Sequence, residues 1–270
     1  MVGLLLLGIL LLLGFVPILM MLNMSLRKTI DIMANYWSLP NRPQWANFSN
    51  AFSVLFSPAV RSMYVSLVAV FGIVTLATIS GYVFARLKFM GRELLFYLIL
   101  ALMMVPSTLL LTPNYVLAMK LGLRDTYWAL WLFYISGGQV FGIFLCRSFF
   151  ASLPEELFEA ARIEGASELQ CIWHIAVPLS RPILVTIGIM TFMGFYNDLL
   201  WPMLVLNDTS KETLMLALLH FDPVNEQMPN RPDIGVQAAA YAFASLPLLL
   251  VFWFGMKYYI QGITSGAIKA

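Results

Sequence analysis

The sequence predicts an all-α, polytopic membrane protein, and three observations carry that expectation. Of its 270 residues, 60% are hydrophobic and only 11% are charged, whereas an average soluble domain carries about 25% charged residues. Six stretches are long, apolar and almost free of charge; a helix rising about 1.5 Å per residue needs about 20 such residues to cross a hydrocarbon core about 30 Å thick. These runs are continuous rather than alternating, so helices, not strands of a barrel, satisfy the backbone in lipid.

The first crossing is expected at residues 3–24. No basic residue precedes its apolar run and no small-x-small cleavage pattern follows near Asn23, so it reads as a retained helix rather than a leader. The second crossing is expected at 62–85, between Arg61 and Arg86, and the third at 94–117. The fourth falls at 127–147, the fifth at 182–206, interrupted only by Asp198, and the sixth at 236–257. Together they predict a single transmembrane domain over 1–270. Pro17, Pro106, Pro113, Pro202 and Pro247 lie in or near these spans and predict kinks, because each removes a backbone donor.

A formal net charge of +2, dispersed along the chain, excludes a nucleic-acid surface. Cys146 and Cys171 lack CxxC spacing, and His174 and His220 stand far apart without ligand partners, so neither a disulfide framework nor a metal site is expected. The chain has no GxxxxGK[ST] phosphate cradle, no HExxH and no GxSxG, so it is not expected to be an enzyme. Eight Lys and Arg fall on each side of the predicted membrane, so charge alone leaves orientation open.

The loops differ in character. Residues 23–61, an inter-helix loop, are rich in turn formers and aromatics, including Trp37, Pro40, Pro43 and Trp45, and read as an external lid or docking face. The segment over 152–178 carries Glu155, Glu156, Glu159, Arg162, Glu164 and Glu168. Ser152 with Glu155 has capping-box spacing, Pro154 suits a first turn, and Gly165 suits a helix stop. Ser167 with Gln170 repeats the capping spacing for a second helix, expected to close before Pro178. The pair reads either as a solvated charge run or as an acidic knob that fits a basic groove.

The string EAARIEGASELQCIWHIAVP, from Glu159 to Pro178, resembles the EAA loop of ABC importer membrane subunits. Glu159, Ala160, Ala161, Gly165, Ile175 and Pro178 match that pattern, with Val177 in place of its usual Leu. Further segments at 113–130, 149–167, 195–206 and 258–270 resemble the maltose-type, MalG-like carbohydrate permeases. Tyr196 departs from the Trp that usually precedes Asn there. The resemblance implies a type I ABC importer permease fold. It further implies a second homologous permease subunit, two ATP-binding subunits that hold the ATP and Mg, and an external solute-binding protein. It puts the EAA loop and both termini in the cytoplasm of a prokaryote and makes Glu159–Pro178 the ATPase-coupling element. It also implies that the tail, including Gly262, Gly266 and Lys269, reaches toward the ATPase pair; two glycines suit an extended segment there.

Within the spans, Asp198 is the clear acid, and an ionisable residue at membrane depth is by default a functional hypothesis. With Asn197 and Tyr196 it offers acceptors, donors and a ring face, which suits a sugar or polyol; the reading preferred for Asp198 is that it locks helix five to a neighbour through hydrogen bonds. Gln139 is a weaker pathway candidate, beside Gly138 and Gly142, whose spacing suits close helix packing. The competing readings are a permease for another solute such as glycerol phosphate, and a self-contained secondary carrier, which the scarcity of embedded charge disfavours.

Overall fold

A computed structural model describes the backbone of residues 2–225 and 227–267 and the side chains of 3–225 and 227–257. In chain order it contains α1 (Val2–Ser25), α2 (Thr29–Ala34), α3 (Ala46–Arg86) and α4 (Arg92–Leu102). A 3₁₀ turn (Ser107–Leu110) leads into α5 (Leu111–Lys120), followed by α6 (Tyr127–Ala151) and α7 (Glu155–Ile163). Then come α8 (Glu168–Cys171), a π-helical turn (Ile172–Ala176), α9 (Val177–Leu179) and α10 (Arg181–Tyr196). The chain continues through α11 (Leu200–Val205), α12 (Leu214–His220), the antiparallel strands β1 (Val224–Asn225) and β2 (Met228–Pro232), and α13 (Ile234–Ala267). The chain divides into two compact units: residues up to Arg61 with Glu212–Leu249, and Ser62–Lys211 with the chain from Leu250.

Four helices are long and apolar enough to cross a membrane uninterrupted, and six crossings result when each of two bent helix pairs is taken as one. The third expected crossing is not one helix: α4 and the 3₁₀–α5 segment meet at 89°. Pro106 explains the break, because proline pushes the residue before it out of the helical region and cannot donate into the preceding turn. The fifth expected crossing also differs. Its helix α10 ends at Tyr196, residues 197–199 are irregular, and α11 is a separate short helix. On its other side, α8 and α9 meet α10 at 81° and so turn away from its axis.

The expected external loop over 46–61 is helical and forms the first four turns of α3. Ala51, Leu55, Ala59, Ser62, Val65, Ala69, Ile73 and Ala77 are all buried, at the three- and four-residue spacing of one helix face. Arg61 does not break this helix because its guanidinium finds the Glu212 carbonyl (2.8 Å) and the Ser57 hydroxyl (2.9 Å).

In the first unit, the buried Arg27 donates to the carbonyls of Asp31 (2.6 Å), Asn35 (2.7 Å) and Tyr36 (3.2 Å), which ties down the segment after α1. Asn225 accepts from the Gln227 and Met228 amides (both 2.9 Å) and so closes the β1–β2 turn. Asp233 caps α13 through the Val236 amide (3.1 Å). The most apolar window of α1 contains no residue buried within the chain, so much of its apolar medium must come from outside.

In the second unit, α3 and α6 pack through glycines, and the small-residue spacing of Gly138 and Gly142 serves close approach. A side chain at Gly142 would meet Ala77 Cβ at 2.7 Å, and one at Gly81 would run into Cys146 Cβ. Both cysteines are buried in this core. We therefore expect Gly81→Val to destabilise the detergent-purified protein by about 1–3 kcal/mol through overpacking. Gly137→Ala, where a Cβ meets nothing within 4 Å, should leave thermal unfolding nearly unchanged.

Candidate functional site: an anchored helical hairpin and a cleft at two helix breaks

The acidic segment folds into a hairpin. α7 starts after Pro154, and Gly165, at φ 86°, takes the left-handed turn between α7 and α8. A Cβ there would meet open space, so the requirement for glycine is set by the backbone and not by crowding. Ser167 and Gln170 form the expected reciprocal capping box at the start of α8. The expected box at Ser152 does not form, because its hydroxyl donates to the Phe149 carbonyl (2.8 Å) while Glu155 pairs with Arg86. The second helix also does not close before Pro178. It runs through the π turn to Leu179, since Pro178 falls in the first turn of α9, where its missing donor matters least.

Two side chains near the end of α3 anchor this hairpin, and neither was among the candidates drawn from the sequence. Arg86, with a side chain only 4% exposed, pairs with Glu155 and donates to the carbonyls of Phe150 and Leu153 (both 2.6 Å). Its guanidinium also lies 4.4 Å from the ring centre of Phe158. Tyr82 donates to Glu168 (2.6 Å), whose other oxygen accepts from Arg162 (2.9 Å). Phe158 is fully buried beneath this network; burying such a ring contributes up to about 3 kcal/mol. The available signal was the i, i+4 spacing of Tyr82 and Arg86, which puts both on one face where the helix leaves its apolar run.

The matched residues divide between two faces. Ala161 and Ile175 pack on the core, whereas Glu159, Ala160 and Gly165 are exposed. Pro178 is half-buried. Among the described residues, the side chains of Glu156 and Glu159 on α7 and of Glu164 just after it have no ion-pair partner, so this end of the hairpin presents an unpaired acidic surface.

The residues expected in the pathway are only partly brought together. Asn197 and Asp198 lie in the break after α10 and line a cleft of about 470 Å³ with Ser107, Thr108, Tyr134 and Phe195. Tyr196 does not reach it: its side chain is fully buried and stacked on Phe192 (5.5 Å between centroids), because it sits on the opposite face of the last turn of α10. Gln139 is half-buried on α6 and does not line the cleft. Asp198 accepts from the Tyr134 hydroxyl (2.7 Å) and from the Leu200 amide (3.1 Å), so it both joins α6 to the break and starts α11. The far end of α11 is held by Asp125, which accepts from the Asn207 and Asp208 amides (both 3.1 Å). These bonds hold the Asp125 carboxyl below the usual carboxylate range.

The tail differs from expectation. α13 continues through Ala267, so Gly262 and Gly266 stand in helical backbone rather than in an extended strand. A glycine costs a helix only about 1 kcal/mol relative to alanine, and no proline follows Pro247 to stop it. Lys269 lies outside the described residues.

The family model for the binding-protein-dependent transport system inner membrane component matches residues 73–265. The chain belongs to that family. Similar relatives include the probable ABC transporter permease protein YurM of Bacillus subtilis, 30% identical over 258 residues, covering 94% of this chain and 83% of that protein. The maltodextrin transport system permease protein MdxG of Bacillus subtilis is 35% identical over 198 residues, covering 73% of this chain and 69% of that protein. Among solved structures, a bacterial ABC transporter involved in the import of the acidic polysaccharide alginate matches with a TM-score of 0.83 at 22% identity. That match covers 96% of this chain and 95% of the other, and it establishes the ABC importer permease fold. Membership makes this binding-protein-dependent permease a multi-pass membrane protein and implies solute-binding and ATPase partners.

In this permease the anchor should titrate. Arg162, and after it the Tyr82 hydroxyl, holds the Glu168 carboxyl below its usual value of 4.5. A lowered folded-state value means the contribution is full above about 4.5 and disappears as pH falls through the folded value. Glu168→Gln should therefore lower the melting temperature at pH 7, and the gap from the unmodified protein should close on acidification. A gap independent of pH would show that the carboxylate charge is not what matters.

Proposed function

We propose that this chain is the membrane-spanning permease subunit of an ATP-driven importer that passes a sugar or related polyol from an external solute-binding protein into the cytoplasm. In this reading it pairs with a second, similar permease subunit, and two ATP-binding subunits hold the nucleotide and Mg; the chain itself hydrolyses nothing. The α7–α8 hairpin and both termini lie on the cytoplasmic side. The carbohydrate assignment draws on the maltodextrin permease among the relatives.

The observation that carries the mechanism is the rigid attachment of an exposed acidic helix to the end of a membrane-spanning helix. A partner gripping Glu159, Ala160 and the unpaired acids of α7 would pull on Arg86 and Tyr82 through Glu155 and Glu168. Movement of α7 then becomes movement of α3, and a rigid-body shift of this kind alternates the side to which a pathway opens. Small residues at the contact allow close approach, and carboxylates near the helix start suit a basic groove.

The test is Gly165→Val, which forces a β-branched residue into a left-handed backbone at a cost of about 1–3 kcal/mol. Membrane insertion should be unchanged while co-purification of the ATPase subunits, or sugar uptake by the assembled transporter, falls about tenfold or more. Glu159→Ala should act in the same direction with a smaller effect. Intact uptake in Gly165→Val would remove the hairpin from the coupling route.

A further inference from the structure

The helical backbone breaks off after α4 and again after α10, and the 3₁₀ turn that follows the first break lines the same cleft as Asn197 and Asp198 in the second. Irregular backbone at bilayer depth persists only where protein buries it or where it lines a cavity, and discontinuous helices are where transport proteins build solute sites. The cleft holds about 470 Å³, within the range of about 300–1,000 Å³ typical of small-molecule sites.

Its lining has a definite chemistry. Asp198 is pinned by the Tyr134 hydroxyl and by the Leu200 and Trp201 amides, which leaves acceptor capacity on Oδ2. The hydroxyls of Ser107 and Thr108 and the side-chain oxygen of Asn197 have no hydrogen-bond partner among the described residues. Phe195, fixed by stacking on Tyr134 at 4.2 Å and 13°, adds aromatic surface. Among the described residues neither Lys nor Arg lines the cleft, so none of them compensates a ligand anion beside Asp198.

From this arrangement we infer that the cleft is a saccharide subsite on this subunit, selective for neutral sugar rings over phosphorylated or uronic ones. Sugar hydroxyls donate to Asp198 and Asn197 and exchange bonds with Ser107 and Thr108, while the apolar ring face meets Phe195. An anion would face the Asp198 carboxylate at short range in a medium that screens charge poorly. The inference rests on the sugar-importer reading above and deepens it by naming the contact residues and the charge class.

The experiment uses the complete transporter in proteoliposomes with maltotriose, arabinotriose and galactobiose as probes. If the unmodified transporter moves none of them, the sugar reading itself fails and the subsite with it. Where one is moved, Thr108→Trp, which fills the cleft from an exposed position, should cut its uptake about tenfold or more while the ATPase subunits still co-purify. Unchanged uptake overturns the subsite and leaves the importer reading standing. A second measurement does not depend on turnover: Ser107→Cys is modified with a charged maleimide, with Cys146 and Cys171 buried and silent. The transported sugar should slow that modification at least about threefold, and trigalacturonate at the same concentration should not. Absence of protection by the neutral sugar overturns the subsite, and equal protection by the acidic one overturns its selectivity.

Discussion

Backbone amides and carbonyls at membrane depth have no water to bond to, so each interruption of a helix there must be repaired by a specific side chain or turn. After Tyr196 the repair is made by Asp198, which accepts the Leu200 amide, and by Asn197, which donates to the Met193 carbonyl (2.9 Å). After Leu102 successive turn bonds close the gap, from Met103 to Leu100, Met104 to Ala101 and Val105 to Leu102. The two repaired gaps leave between them a largely apolar cleft that carries Asp198, Asn197, Ser107 and Thr108, which an unbroken bundle would lack. The same requirement explains why the acid in the fifth apolar run stands where a helix restarts rather than within it.

The hairpin obeys a related constraint at the other end of α3. A guanidinium as buried as Arg86 is tolerable only when paired and hydrogen-bonded, and its partners are drawn from the last turn of α6 and the segment that carries α7. Breaking that pair would strand a buried charge, so the end of α3 and the start of α7 are bound to move together. Phe158 adds a dry apolar contact beneath the ions, and Tyr82 extends the linkage to α8. One mechanical link thus joins an exposed acidic surface to a helix whose glycines lock it against α6.

Composition and the length of the apolar runs determined the class of protein, because the bilayer sets the span length whatever the packing. The turn at Gly165 and the cap at Ser167 were legible for the same reason: both are local, and a left-handed residue or a reciprocal cap needs only its immediate neighbours. Tertiary contacts decided the rest. Residues 46–61 became helix because one face is buried and because the Glu212 carbonyl that Arg61 meets lies far along the chain. Glu155 gave up its cap to pair with Arg86, and Tyr196 turned into the core while Tyr134, from another helix, took the place beside Asp198. A side chain's partner is chosen by which helix crosses it, and that geometry is absent from any local pattern.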